Sequence, residues 1–228
     1  MGDMVEFPVN GTNGSGYFAA AAGGSGPGLV VIQEWWGLVP HITEVVDRCA
    51  AAGFSALAPD LFGGTTTTEP DEAGKLMMTL NLERAAKDLT GGINFLLGHE
   101  SVTTDRVGLM GFCMGGGLAL MAACANPSTI GACAPFYGVI PWEAAAPDWS
   151  SLACPVRGHF ASEDGFFGPE AVRSLESQLR SLGKDVAFTI HDGVDHAFCN
   201  DHRPEVYDAA AATAAWDATM SFLRDTLV

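Results

Sequence analysis

The sequence predicts an α/β fold: a mostly parallel central sheet covered by helices on both faces. Short runs such as Leu29–Ile32 are apolar at every position, which is typical of strands buried on both faces. Between them lie longer segments in which apolar residues recur at helical spacing, as in Pro40–Ala52. Regular alternation of the two patterns indicates a parallel sheet. No repeat or long linker interrupts the alternation, so residues 1–228 are interpreted as one domain.

The strands are predicted in chain order from these apolar runs. The chain opens with a hairpin in which Val5–Val9 and Tyr17–Ala21 flank the polar turn Asn10–Gly14. The remaining strands are expected at Leu29–Ile32, Ser55–Pro59, Val107–Met110, Ile130–Phe136, Val156–Ala161 and Val186–His191.

The helices follow from apolar spacing and from residues that end helices. Ile42, Val45, Val46 and Cys49 share one face of the first helix, and Gly53 ends it. A Thr-rich tract at Thr65–Thr68 predicts a flexible loop. Helices are expected at Pro40–Ala52, Asp71–Met78, Leu82–Leu97, Leu118–Ala123, Pro169–Leu182 and Glu205–Leu227.

The charge balance excludes several partners. Lys and Arg total 11 against 27 Asp and Glu, a net charge of −16. Such a surface repels nucleic-acid phosphates and anionic lipid, so neither is predicted as a partner. No basic and apolar leader is present, and no apolar run approaches the roughly 18 residues of a membrane span. We therefore expect a cytoplasmic protein that acts on a small molecule, as a monomer or a small homo-oligomer.

The six cysteines show no C-x-x-C spacing, so neither a disulfide scaffold nor a zinc site is predicted, and no other cofactor is implied. Four of them have apolar neighbours and are expected in the core: Cys49, Cys124, Cys133 and Cys154. Cys113 has neighbours that suggest chemistry. Cys199, three residues after His196, is compatible with packing or with a thiol near the site.

Cys113 occupies the middle of Gly111-Phe112-Cys113-Met114-Gly115-Gly116, between a predicted strand and a predicted helix. This is the spacing of a nucleophile elbow, with Cys in place of Ser. The small flanking residues let strand and helix approach closely, and the helix N-terminus stabilises a thiolate. A buried cysteine in a Gly-rich turn is the alternative interpretation of this motif alone.

A nucleophile of this kind needs a base and an acid that orients the base. Asp164 follows the strand Val156–Ala161, and His196 lies in a turn after the last strand, so the order nucleophile, acid, histidine matches that of α/β-hydrolase triads. Glu163 and Asp195 compete locally for the acid role. The other histidines are interpreted as solvated: His41, His99, His159, His191 and His202, of which His159 is also compatible with burial beside the site.

The chain resembles the dienelactone hydrolase family of the α/β-hydrolase superfamily over essentially its full length. The resemblance rests on Gln33-Glu34-Trp35-Trp36-Gly37, Ala58-Pro59-Asp60-Leu61-Phe62, the elbow, Tyr137-Gly138, Asp164 and His196-Ala197-Phe198. It implies an α/β-hydrolase fold and a carboxymethylenebutenolidase-type hydrolase that cleaves an enol-lactone or activated ester through a thioester.

The resemblance also implies residue roles. Cys113 is the expected nucleophile, His196 the base and leaving-group acid, Asp164 the orienting carboxylate, and Glu34 a carboxylate that takes the thiol proton when substrate binds. The backbone N–H groups of Trp35 and Met114 are the expected oxyanion donors. Candidate substrate contacts are Trp36, Tyr137, Phe198 and Arg203.

Two positions depart from the dienelactone-cleaving members, which hold the substrate carboxylate with arginines. The position four residues after the catalytic histidine is Asn200, and the segment around Pro70 offers only acidic residues. The nearest basic candidates are Lys75, Arg84 and Arg203. A broader carboxylesterase or thioesterase therefore stays open, as does a catalytically silent binding protein. A metal-dependent hydrolase and a Rossmann-type oxidoreductase are disfavoured, since neither a His-rich cluster nor a G-x-G-x-x-G turn is present.

Overall fold

The computed structural model describes residues 1–140 and 145–228 of the 228-residue chain. Eight strands are present in this part of the molecule: β1 (Asp3–Val9), β2 (Thr12–Ala19), β3 (Gly28–Ile32), β4 (Ser55–Pro59), β5 (Val107–Phe112), β6 (Ile130–Phe136), β7 (Val156–Ala161) and β8 (Val186–His191). Six helices accompany them: α1 (Pro40–Ala51), α2 (Pro70–Thr79), α3 (Leu82–Gly98), α4 (Met114–Ala125), α5 (Pro169–Ser181) and α6 (Ala209–Leu227).

The strands form one open sheet in the order β1-β2-β4-β3-β5-β6-β7-β8. The pairs β1–β2 and β2–β4 are antiparallel, and all the other neighbouring pairs are parallel. The carboxyl ends of β3, β5, β6, β7 and β8 therefore meet along one edge, where α/β sheets place their ligand sites.

Helices cover both faces of the sheet, which confirms the predicted fold class. Alternate residues of β3 point to opposite faces: Val30 and Ile32 belong to the apolar cluster under α3, α4 and α5, whereas Leu29 and Val31 belong to the one under α1 and α6. Residues buried on both faces explain why the central strands are apolar at every position.

The hairpin and the last helix differ from their predicted bounds. Asn10 and Gly11 both have positive φ, 34° and 94°, so the turn needs only these two residues and β2 begins at Thr12. The polar residues that suggested a longer turn instead pair along β1. The last helix begins at Ala209 rather than Glu205, because Asp208 caps it by accepting a hydrogen bond from the Ala211 N–H.

All six cysteines are free, and the four that were expected in the core are buried. Burial raises the pKa of the Cys49 and Cys154 thiols to about 12 and that of Cys124 to about 11. Such thiols stay protonated and unreactive at neutral pH. Among the helices of the described ranges, none combines the length and the apolar character needed to cross a bilayer.

Candidate active site

Cys113 lies at the apex of a strained turn between β5 and α4. Its backbone has φ 55° and ψ −121°, a region that residues with a side chain rarely adopt. The turn is possible because glycines surround it: a Cβ on Gly111 would overlap the carbonyl oxygen of Gly115, and one on Gly138 would overlap that of Cys113. The fold thus holds Cys113 at the carboxyl edge of the sheet, directly before the helix N-terminus.

His196 and Asp164 form a buried pair at the same edge. His196 Nδ1 lies 2.8 Å from Asp164 Oδ2, and the Asp164 side chain is fully buried. The backbone N–H groups of Phe166 and Phe167 donate to Oδ1 of Asp164 at 2.7 and 2.9 Å. Burial raises the pKa of Asp164, but the bonds from His196 and from these N–H groups outweigh it, so the pKa is lowered. Asp164 is therefore ionised and fixed in place.

The surroundings of His196 favour its protonated form. Burial lowers the pKa of His196, but its hydrogen bonds and charge interactions with Asp164 and Cys113 outweigh burial and raise the pKa to about 10. The rings of Phe166 and Tyr137 pack against the imidazole, with centroids 5.1 and 5.2 Å away. An imidazolium beside the sulfur stabilises a thiolate and can donate a proton to a leaving group.

Glu34 lies at the end of β3 and is buried, although it lines the same cavity as Cys113. Its Oε2 accepts a hydrogen bond of 2.8 Å from Nδ2 of Asn200. Within the described ranges, Glu34 Oε1 and the Tyr137 hydroxyl are buried without a hydrogen-bond partner. Burial raises the pKa of Tyr137 well above its usual value, and the Glu34 carboxylate adds to the shift. Asn200 thus holds one oxygen of Glu34, and the other lies near the Tyr137 hydroxyl.

Several predicted residues surround one cavity of about 450 Å³. Trp35 follows Glu34, and Met114 is the first residue of α4, where N–H groups have no partner within the helix. The cavity is lined by Glu34, Trp35, Trp36, Cys113, Met114, His196 and Arg203 from the predicted set. Asp164 lies behind His196, on the side away from the cavity.

The model of the dienelactone hydrolase family matches residues 15–227. The chain belongs to the dienelactone hydrolase family. Relatives extend over its full length: Protein usf of Aquifex pyrophilus is 36% identical, and a protein of Aquifex aeolicus provisionally named a carboxymethylenebutenolidase is 34% identical, each with 100% of both chains covered.

Solved structures show the same fold at lower identity. A dienelactone hydrolase-like promiscuous phosphotriesterase from metagenomic libraries superposes with a TM-score of 0.88 at 22% identity, covering 100% of this chain and 99% of that one. The dienelactone hydrolase of Anabaena variabilis gives 0.72 at 21% identity with the same coverage. An α/β-hydrolase from a Medee basin deep-sea metagenome library gives 0.72 at 12% identity, covering 98% and 97%. These likenesses support the α/β-hydrolase fold.

Two of the substrate contacts expected of this dienelactone hydrolase family member need correction. Tyr137 and Phe198 are fully buried and do not line the cavity. Their rings pack on each other, with centroids 5.5 Å apart, and the Tyr137 ring also packs edge-to-face on the imidazole of His196. They follow strand ends as predicted, but their side chains point into the core.

The interpretation of the other histidines as solvated was wrong for His41, whereas burial of His159 had been left open. His41 and His159 are buried, and His159 Nδ1 lies 3.1 Å from His191 Nε2. Burial lowers the pKa of His159 to about 3, with a smaller effect from His191. This neutral pair packs beside Phe136 and Phe198, and neither ring lines the Cys113 cavity.

One group of potential metal ligands occurs in the described part of the chain: His41, Asp201 and His202. His41 Nδ1 lies 3.2 Å from Asp201 Oδ1, and His202 Nε2 lies 2.9 Å from Oε2 of Glu44. These residues do not line the Cys113 cavity. Nothing in their placement links a metal ion to the chemistry of Cys113.

Sequence reasoning missed most of the cavity wall and the partner of Glu34. The wall comes from helices and connecting segments whose apolar residues read as ordinary core positions. Its further members are Pro70, Met77, Leu80, Leu82, Gly117, Leu118, Met121, Val139, Ile140, Ala145, Phe166, Phe167 and Ala197. Asn200 was noted as a departure from the family pattern, and its contact with Glu34 gives that departure a structural meaning.

Proposed function

We propose that this family member is a cysteine-dependent hydrolase that opens a lactone, enol-lactone or activated ester through a thioester at Cys113. The main support for this proposal is that the strained Cys113 and His196 line the same cavity. Oδ2 of Asp164 holds the imidazole of His196 by its Nδ1 atom, 2.8 Å away. The provisional name of the Aquifex aeolicus relative, carboxymethylenebutenolidase, supports the same reaction class.

Acylation needs one group that accepts the thiol proton, Glu34, and another that donates a proton to the leaving oxygen, His196. Glu34 accepts the thiol proton when substrate binds, and the sulfur of Cys113 attacks the carbonyl carbon to form a C–S bond. The backbone N–H groups of Trp35 and Met114 stabilise the resulting oxyanion. His196, protonated at neutral pH, donates its proton to the leaving oxygen as the C–O bond breaks. In a lactone the leaving oxygen stays attached to the acyl chain.

Deacylation returns every group to its starting state. Neutral His196 takes a proton from water, and the hydroxide attacks the thioester carbonyl. The C–S bond breaks, the acid product leaves, and the thiolate regains the proton held by Glu34. Keeping the sulfur protonated between turnovers limits its oxidation. Asp164 holds the imidazole in position throughout and stabilises its cationic form.

The test measures covalent chemistry at Cys113 directly. Wild-type protein, Cys113→Ala and Cys49→Ala are assayed with p-nitrophenyl acetate, p-nitrophenyl butyrate and a panel of small lactones. We expect Cys113→Ala to lose at least about 10³-fold in kcat/KM, and Cys49→Ala, which removes a buried thiol far along the chain, to keep its activity. Acid quenching during turnover, followed by intact-mass and peptide analysis, should find the acyl group on Cys113.

Retained turnover in a folded Cys113→Ala protein would refute the nucleophile. Absence of turnover in the wild type on every ester and lactone would favour the catalytically silent binding protein. A broader carboxylesterase or thioesterase uses the same machinery on a substrate without a carboxylate. The composition of the cavity wall bears on that choice.

A further inference from the structure

The wall of the Cys113 cavity is overwhelmingly apolar. Met77 and Leu80 approach from α2 and its end, Leu118 and Met121 from α4, and Phe166 from the loop after β7. Cavities of a few hundred Å³ with such walls bury most of a small ligand, and affinity comes mainly from apolar contact. A substrate that fills this space must present apolar surface to it.

The two basic groups that line the cavity among the described residues each have an anionic partner. His196 Nδ1 lies 2.8 Å from Asp164 Oδ2. Arg203 donates from Nε to Oε1 of Glu205 at 2.9 Å, and its guanidinium stands 5.8 Å from the ring of Trp36. Residues 141–144, Pro-Trp-Glu-Ala in the sequence, add no Lys or Arg. The buried carboxyl group of Glu34 lines the same cavity and supplies no cation. A substrate carboxylate would lose its hydration here and meet only cations that already have an anionic partner.

A second cavity of about 320 Å³ adjoins the first, since both are lined by Leu82, Leu118 and Met121. Its other lining residues include the apolar Ala86, Leu89 and Ala122 and the polar Asn126, Asp148 and Ser151. Apolar side chains of α3 and α4 therefore continue the wall of the Cys113 cavity past Leu82 and Met121.

We propose that the substrate is a neutral ester or lactone whose apolar chain or ring of several carbons lies against Met77, Leu82 and Met121, and that an anionic group in this position is rejected. The proposal rests on the thioester chemistry inferred for Cys113. Burying one methylene strengthens binding by up to about fourfold, so selectivity should grow with chain length until the cavity is filled.

The test compares matched p-nitrophenyl esters in wild-type protein: acetate, butyrate, hexanoate, octanoate and the monoester of adipic acid. The last differs from the hexanoate only in its terminal carboxylate. We expect kcat/KM to rise at least about tenfold from acetate to hexanoate, and the adipate monoester to fall about 100-fold or more below the hexanoate. Equal rates for the hexanoate and the adipate monoester, or a flat chain-length series, would overturn the proposal.

Adjacent methionines on α2 provide a matched pair of variants. Met77 lines the cavity, whereas Met78 is 70% exposed and does not. Met77→Glu should reduce the hexanoate-to-acetate ratio of kcat/KM at least about tenfold, and Met78→Glu should leave it unchanged. Equal ratios in the two variants would contradict the assigned wall. Loss of Cys113-dependent turnover on all esters would instead refute the proposed chemistry, so the two failures are distinguishable.

Discussion

Asn200 donates a hydrogen bond from Nδ2 to Oε2 of Glu34 over 2.8 Å, and both residues are buried. The bond ties the segment after His196 to the end of β3, the two places that supply His196 and Glu34. Because the donor is a neutral amide, it positions the carboxylate without adding a positive charge to the site. Asn200 therefore fixes the position of Glu34 and adds no cation to the site.

The Asn200–Glu34 bond can be removed with little change of shape. Asn200→Asp keeps the oxygen that accepts from the His202 N–H at 3.1 Å but loses the donor to Glu34 and adds a like charge. We expect the free energy of unfolding to fall by about 3 kcal/mol at pH 7, measured by urea unfolding. The loss should shrink at acid pH, where one carboxyl is protonated.

A double variant provides the control for this prediction. In Asn200→Asp with Glu34→Gln, the amide at position 34 can donate to the carboxylate at position 200. Stability should recover by at least about 1 kcal/mol relative to the sum of the two single changes. Additive losses would mean that Asn200 acts on stability through other contacts.

Asp164→Asn tests what the buried pair does for His196. The change preserves size but removes the negative charge and favours the wrong imidazole tautomer. We expect kcat to fall by about 10³- to 10⁴-fold. The pKa of His196 should fall from about 10, because the hydrogen bond to Asp164 is the largest contribution that raises it, and the charge of Asp164 adds to it. The imidazole pKa can be followed by NMR titration of His196.

One control variant separates this effect from general damage. Asp195→Asn alters the neighbouring carboxylate, which accepts a hydrogen bond from the backbone N–H of His196 and not from the imidazole. This variant should keep nearly all activity. An unchanged His196 pKa in Asp164→Asn would contradict the assigned cause.

The placement of the candidate site residues at one edge of the sheet was predictable because it is encoded locally. Cys113, Asp164 and Glu34 each directly follow a run that reads as a strand, and parallel strands end at one edge of the sheet. The direction of a side chain at such an edge is not encoded in this way. Tyr137 was expected to face the substrate, yet its ring is buried in the core against Phe198.

Other features depend on contacts between distant segments. The bond between Asn200 and Glu34 joins residues 166 positions apart, and no local pattern indicates it. Met77 and Met121 belong to helical faces that look like ordinary core stripes, and only the folded chain shows that both line one cavity. The hairpin bounds failed for a related reason, since the two-residue turn at Asn10 was set by pairing with β1.

Gly138 tests the close approach that shapes the elbow. A methyl group at this position would overlap the carbonyl oxygen of Cys113, a backbone atom that cannot move independently. We expect Gly138→Ala to lower the free energy of unfolding by about 2 kcal/mol and kcat/KM by at least about tenfold. Gly98→Ala, which meets nothing within 4 Å at the end of α3, should be neutral or slightly stabilising. Equal effects in urea unfolding would contradict the steric assignment.

The backbone strain at Cys113 should lower the free energy of unfolding of the protein. At φ 55° and ψ −121°, a residue with a Cβ is strained by about 1–3 kcal/mol, whereas glycine is not. Among inactive variants, Cys113→Gly should therefore unfold at a higher urea concentration than Cys113→Ala. The neighbouring Met114 starts α4 and serves as the opposite control, since Met114→Gly should be less stable than Met114→Ala by about 0.5–1 kcal/mol. The same order of Gly and Ala at both positions would argue against strain at Cys113.

Because the pKa of His196 is raised, the free energy of unfolding should fall as the pH rises from neutral to alkaline values. Its folded pKa is about 10 against a usual value of 6.5, so folding favours the protonated imidazole. The resulting stabilisation is fully present below pH 6.5, declines as the pH rises from 6.5 towards 10, and is lost above 10.

Comparison of wild type with His196→Gln isolates this contribution, because other titrating groups are common to both proteins. The wild-type excess in unfolding free energy should decrease by at least about 1.4 kcal/mol, the equivalent of one pKa unit, between pH 6.5 and 10. Urea unfolding at half-unit steps measures it. Asp164 has the opposite pH dependence, but only in acid. Its lowered pKa stabilises the folded state above the usual carboxyl range, and this stabilisation is lost as the pH falls. A constant difference from pH 6.5 to 10 would contradict a folded-state imidazolium at His196.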